Sequence, residues 1–320
     1  KGNFTGKRTF AFTITEKSLA DDDILVEFEK VWFDREEHKL LPSVTFKNLE
    51  VETNCYTVQY YRSQAEAEAG TGKEPEGFIN AQTIWVNITA TENGNYSGSR
   101  IDSYEIQKAT ITSVALESVS TTYNTQVQMP VIKTVIANAN GKTFPMNTGE
   151  YNISYTYDGI TEDEYDKFFI NCKIITVSIT SISTNSNFQD GKNVTATFEI
   201  QKRDIIDSNI TIKFYLVEAV VDSEGKVTPK KENGEIVYKR DSNGERISLD
   251  SLGQTYRGDY VWPEITYKWG SEAENVYTLI EGTDYEYGFE TTANSYGDVG
   301  EVTLTIKTQN STNFEGETSQ

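Results

Sequence analysis

Few residues of this sequence have the types and spacing that chemistry needs. Its single histidine, His38, sits in the charged run DREEHK, so a histidine-based relay has no alternative base and a multi-histidine metal site has no second ligand. His38 reads as a solvated surface residue. The two cysteines, Cys55 and Cys172, fall in different copies of the repeat described below, which leaves no disulfide within a copy and makes both small buried apolar residues. There is no Gly-rich phosphate loop and no Cys-x-x-Cys. Among 49 acids, carboxylate pairs suited to glycoside hydrolysis arise by chance. Two clusters, Asp21-Asp22-Asp23 and residues 158–166 (DGITEDEYD), offer the hard oxygen ligands that Ca²⁺ takes, but neither follows the spacing of a Ca²⁺-binding loop. Both read as solvated acidic loops. No catalytic residue, cofactor or metal ligand is assigned, and the chain is read as a non-enzyme.

Two other residue sets bear on recognition and crosslinking. Along the run VWPEITYKW, Ile265, Tyr267 and Trp269 alternate and are expected to face the core, which turns Trp262 outward. Tyr256, Tyr260 and Trp262 are then the candidate ligand patch, of the aromatic kind that binds sugars. Asn80 and Asn171 recur at one repeat position, where the third copy has Gly297-Asp298. They are read as satisfying a turn or bulge, the alternative being a Lys-Asn isopeptide crosslink. Asn-x-Ser/Thr sequons at Asn3, Asn87, Asn95, Asn152, Asn193, Asn209 and Asn310 are taken as products of an Asn- and Thr-rich composition.

The elements that must position these residues are set by a repeat. An Asn-aromatic pair stands before a glycine in GNFTG, GNYSG, SNFQDG and TNFEG; 92 residues separate Asn3 from Asn95 and Asn95 from Asn187, and 126 separate Asn187 from Asn313. A period near 92 is the size of an immunoglobulin-like sandwich, well above that of a solenoid repeat. The first three turns run on into FTITEK, YEIQK and FEIQK. Strand patterns keep their order between copies: LLPSVTF matches QMPVIKTVI and VWPEITYKW, and CYTVQYY matches YNISYTY. The 34 extra residues of the third copy lie near 221–251, where Asn233-Gly234 and Asn243-Gly244 flank Ile236-Val237-Tyr238 and predict one or two added hairpins. Residues 63–77 read as an exposed acidic loop with a helical turn.

Composition agrees with a modular, exported β-protein: 19 Tyr and 15 Phe accompany abundant Thr, Val and Ile. A net charge of −20 repels phosphate backbones and anionic lipid, so no nucleic-acid partner is expected. No apolar run is long enough for a membrane span. Low cysteine places stability in sandwich cores rather than staples.

Tyr256-x-Gly258, Pro263-x-Ile265, EGTDY at residues 281–285, Val302-x-Leu304-x-Ile306 and Asn313-Phe314-x-Gly316, in that order, resemble the Ig-like repeats of very long secreted or cell-wall-attached proteins of Gram-positive bacteria. The first two copies diverge, lacking Gly-Thr-Asp-Tyr and keeping the rest. The resemblance implies β-sandwich modules that space, stiffen or adhere, without catalytic residues to carry over.

The sequence is therefore read as all-β, with three tandem immunoglobulin-like β-sandwich domains in an extended rod over residues 15–107, 108–201 and 202–320. The expected role is a structural or adhesive module of an extracellular, cell-surface or cell-wall protein, with a host or cell-surface ligand or another copy as partner. The second function carried forward is a carbohydrate-binding or spacer module of a secreted glycan-active protein. The insert is the expected place of partner contact, and the short linkers QKATI and QKRDI imply little hinge motion. The ends are out of phase with the repeat. Residues 1–14 read as a complete final strand of an absent unit, with Phe10, Phe12 and Ile14 on one face, and the third unit lacks that same strand. Head-to-tail strand donation is one expectation; a piece cut in mid-repeat from a longer chain is the other.

Overall fold

Alternation of apolar and polar residues decides most of the local structure. Along Gln82–Ala90 the buried positions are Ile84, Val86 and Ile88, and along Lys173–Ser181 they are Ile175, Val177 and Ile179. The computed structural model describes the chain except for residues 1, 3–5, 73, 76, 93, 158–159, 162–167, 183–186, 222, 224–226, 249–259, 292–301, 309–310, 312 and 320. Those described are almost all in strands, turns or irregular backbone, so the protein is all-β. They group into two compact units that do not coincide with the 92-residue repeats, because residues of the middle copy fall in both.

The first unit comprises residues 1–115, 132–154 and 178–196. It holds a sheet ordered Ile24–Glu27, Ser43–Phe46, Leu49–Glu50 and another ordered Val31–Trp32, Ser99–Gln107, Gln82–Ala90, Tyr56–Tyr61. Three tyrosines tie the second sheet to one loop: Tyr104, Tyr60 and Tyr56 donate hydroxyls to the carbonyls of His38, Leu40 and Pro42 at 2.7, 2.8 and 3.3 Å. Burial pushes the Tyr104 phenol up to about 12, so it stays a donor at ordinary pH. The helical turn expected in 63–77 is a short helix, Gln64–Ala69, capped by the Ser63 hydroxyl on the Glu66 amide and ended by left-handed Gly70. The hairpin Ile132–Ala139 to Lys142–Pro145 turns on Asn140-Gly141, both at positive φ as a tight hairpin requires.

The second unit comprises residues 116–131, 155–177 and 197–320. It contains the sheets Ile210–Val217, Tyr260–Lys268, Val276–Thr278 and Glu286–Thr291, Val302–Lys307, Glu317–Ser319, each in that order. The insert forms the hairpins Ala219–Val221 with Val227–Pro229 and Lys231–Glu232 with Glu235–Ile236, the latter turning on Asn233-Gly234 as its sequence predicts. Its outer residues return to the edge of Ile210–Val217 through Leu216 N to Ile247 O and Lys239 N to Leu216 O. Asp284 of the EGTDY motif is buried and accepts from the Tyr277 hydroxyl at 2.7 Å and the Ile280 amide at 2.9 Å. This explains why the motif keeps a carboxylate in an apolar setting.

Four expectations are corrected here. Trp262 is 6% exposed, its ring edge-on to Tyr287 at 4.8 Å, because the face opposite Pro263 and Ile265, to which its outward reading assigned it, is covered too. His38 is half-buried, Nε2 lying 2.9 Å from Asp34 Oδ1. Cys55 and Cys172 are free thiols with intermediate rather than full burial. Finally, residues 6–16 are in no strand, since no sheet edge of the described chain pairs with them.

Candidate functional site: the repeat junctions

The Asn-aromatic turn recurs because it closes each repeat onto its own first residues. Lys17 N donates to Asn95 O, Ala109 N to Asn187 O and Arg203 N to Asn313 O, each at 2.9 Å. Short parallel pairings continue from there, Lys17 opposite Tyr96, Ala109 opposite Phe188 and Arg203 opposite Phe314. The glycine that ends the turn is at positive φ in Gly98, Gly191 and Gly316, a conformation that side chains resist.

The side chain of the turn asparagine does something the sequence did not disclose. Within the first unit, Asn187 Oδ1 accepts the Ala81 amide at 2.8 Å while its Nδ2 donates to Asn80 Oδ1 at 3.1 Å. Within the second, Asn313 Oδ1 accepts the Cys172 amide at 3.0 Å and its Nδ2 donates to Asn171 Oδ1 at 3.1 Å. A carboxamide is needed because one group must both donate and accept. Asn80 and Asn171 therefore recur as the other half of a clip between one repeat and the next, not as turn formers. The signal available in sequence was the matching recurrence of Asn80 with Asn171 and of Asn187 with Asn313.

Aromatic rings fill each junction behind the clip. Phe188 is fully buried, with Phe33 at 5.5 Å and Phe144 at 6.4 Å. Phe314 is fully buried among Tyr123, Tyr277 and Tyr267 at 5.5, 6.3 and 6.4 Å. Burying one phenylalanine contributes about 2–3 kcal/mol, more than the roughly 1 kcal/mol net of each clip hydrogen bond. The rings hold the joint together and the amides fix its register.

Charged groups rim the joints. At the first, Arg35 reaches Glu150 at 2.6 Å with its guanidinium 5.4 Å from the Phe144 ring centre, and Lys142 bridges Asp34 and Glu36 at 2.7 and 2.8 Å. Burial works to raise the Asp34 pKa, but hydrogen bonds from Lys142, the Glu36 amide and His38 outweigh it and hold the carboxyl below its ordinary value. At the second, Arg203 donates to Tyr123 O at 2.7 Å and to Asp207 at 2.6 Å, its guanidinium 4.5 Å from the Tyr267 ring centre. Burial pushes the Cys172 thiol up to about 11, so beside this clip it is a poor nucleophile.

No family model matches the chain, and no curated protein matches it. Among solved structures it is similar to the surface layer protein SbsC, domains 4-9, at 16% identity and a TM-score of 0.22, over 93% of this chain and 46% of that one. The chain thus spans less than half of that neighbour's length. At that distance, the functional reading rests on the residues themselves.

The residues singled out in sequence are not brought together. Phe10, Phe12 and Ile14 are 77%, 85% and 85% exposed. Tyr256 lies outside the described residues, Tyr260 is half-buried and Trp262 is in the core. Asp21 and Asp23 both bind Lys17, at 2.6 Å, and the described residues contain no group of three or more His, Cys, Asp or Glu that could hold a metal ion. The second acidic cluster lies largely outside the described residues. No described helix is long and apolar enough to cross a membrane.

Proposed function

We propose that the chain is a non-catalytic structural or adhesive module of an extracellular surface protein, made of three immunoglobulin-like repeats whose copies join head to tail by strand donation. The observation that carries this reading is the junction: two joints built alike, each with an asparagine clip, a buried aromatic cluster and a rim of ion pairs. A module that spans or anchors needs joints that hold their geometry under load, whereas an active site needs a cleft and groups poised for reaction. The insert, built outward from the Ile210–Val217 edge, is the contact surface for a host or cell-surface ligand.

Strand donation is supported by the contrast between Phe12 and Ile14, both exposed, and the residues at their repeat positions: Tyr104, Ile106, Phe198 and Ile200 are all buried. The acceptor is the third repeat of another copy. Sedimentation velocity on the purified chain tests the reading. Concentration-dependent association that disappears in the double variant Phe12→Asp, Ile14→Asp is expected. A wild-type chain that remains monomeric at about millimolar concentration, where even an interface worth only some 4 kcal/mol would show, overturns the assembly. Catalytic turnover of a glycan or peptide substrate would overturn the non-catalytic role.

A further inference from the structure

The parallel strand pairings found among the described residues all stand where a copy of the repeat begins or ends. Lys17–Ser18 pairs in parallel with Tyr96–Ser97, and Arg203–Asp204 with Phe314–Glu315, each joining the first residues of a copy to its closing turn. Ala109 bridges Phe188 in the same sense. A second set lies where the chain leaves the copy. Val31–Trp32 pairs in parallel with Ile106–Gln107, and Ser120–Thr122 with Glu199–Gln201, the last strand in each case. These exit pairs are built alike: Phe33 N donates to Gln107 O at 2.8 Å and Tyr123 N to Gln201 O at 2.9 Å, just before Lys108 and Lys202 carry the chain into the next copy.

The sense of a pairing decides how it meets a pull. In an antiparallel pair, the start of one strand and the end of the other leave from the same edge, so the hydrogen bonds open one after another. In a parallel pair they leave from opposite edges, and every bond of the pair is strained at once. Tension reaches the first copy ahead of Lys17 and leaves it beyond Gln107; it reaches the second ahead of Ala109 and leaves it beyond Gln201. Both copies are therefore pulled along their parallel pairs.

We propose that the chain bears tension, with the entry and exit pairs as clamps loaded in shear that keep each copy from being drawn out. The inference rests on the structural-module reading above and assigns the load to particular bonds. The exit clamps are also tied to the joints. Phe33 and Tyr123, which donate their bonds, are buried and set their rings edge-on to Phe188 and Phe314, each at 5.5 Å. Sliding an exit pair thus has to pull a buried ring out of the junction as well as break the backbone bonds. The same sheet offers a contrast. Thr83 faces Glu105 across the antiparallel strands Gln82–Ala90 and Ser99–Gln107, so a pull on these two residues peels the pair instead of shearing it.

Single-molecule pulling on the full chain tests this, with Cys55→Ala and Cys172→Ala removing the native thiols. Handles are attached either at Glu16→Cys with Lys108→Cys, along the clamps, or at Thr83→Cys with Glu105→Cys, across the antiparallel pair. None of these four side chains is buried, and far-UV circular dichroism with a urea midpoint checks that each variant folds as its thiol-free parent does. The expected result is that at equal force the first copy opens about tenfold or more slowly along the clamps than across the pair, as for bonds strained together rather than in turn. Handles at Lys108→Cys with Lys202→Cys load the second copy, where the same slow opening is expected, and this variant carries the test should the first copy not tolerate its handles. Resistance that is equal in the two directions, or weaker along the chain, overturns the clamps and leaves the structural module standing. A chain that gives way in both directions at forces too small to register overturns the load-bearing module itself.

Discussion

At the scale of the residue, Asn187 and Asn313 are distinguished by using both ends of the carboxamide on one partner loop. Asn313→Asp keeps the acceptor for the Cys172 amide but sets a carboxylate oxygen against Asn171 Oδ1 in place of a donor. It is expected to lower the stability of the chain by about 1–3 kcal/mol in urea unfolding, and Asn95→Asp, whose side chain has no described partner, by much less. Asp34 gives a pH dependence with a definite sign. Its folded pKa is lowered, so its contribution is fully present above the unfolded value of about 3.9 and is lost as pH falls through the folded value below that. Urea midpoints at pH 7 and near pH 3 should therefore differ less for Asp34→Asn than for the wild type. Equal acid sensitivity of the two chains would remove Asp34 from the rim of the joint.

At the scale of the element, the closing turn at Gly316 and the hairpin turn at Gly141 depend on their glycines unequally. A Cβ on Gly316 would meet Asp204 Oδ1 at 2.8 Å in a backbone already at φ 97°, while one on Gly141 at φ 101° would meet nothing within 4 Å. Both substitutions by alanine carry the left-handed strain of about 1–2 kcal/mol, and Gly316→Ala adds the displacement of Asp204. Thermal unfolding should rank Gly316→Ala below Gly141→Ala. The reverse order would mean that the turn relaxes without cost and that its glycine is not required by the joint. The same scale explains the Trp262 misreading: its pairing with Tyr215 continues the unbroken ladder of Ile210–Val217 with Tyr260–Lys268, so Trp262 does lie on the face opposite Pro263 and Ile265, but that face is covered too, by Tyr287.

At the scale of the whole molecule, 49 acidic against 29 basic residues set how copies approach one another. Two chains each carrying −20 repel at low ionic strength, so the proposed assembly through an apolar strand should strengthen as salt rises from about 20 to 200 mM, where the screening length shortens from roughly 20 to 7 Å. Sedimentation across that range checks it. Association that weakens with salt would point instead to an interface made of opposite charges.

The sequence by itself determined what is local. The faces of Ile84, Val86 and Ile88, the hairpin turn at Asn233-Gly234 and the closing turns at Asn95, Asn187 and Asn313 all follow from side-chain period and backbone freedom within a few residues. Even the asparagines of the clip were visible as a recurrence. Their pairing was not, because Asn80 and Asn187 meet across 107 residues and a carboxamide suits a turn, a bulge or a joint equally well. Phe12 and Trp262 show the same limit from opposite sides. Alternation says which residues share a face, but burial depends on what lies over that face: Tyr287 covers Trp262, whereas Phe12 lacks the sheet edge that covers Tyr104.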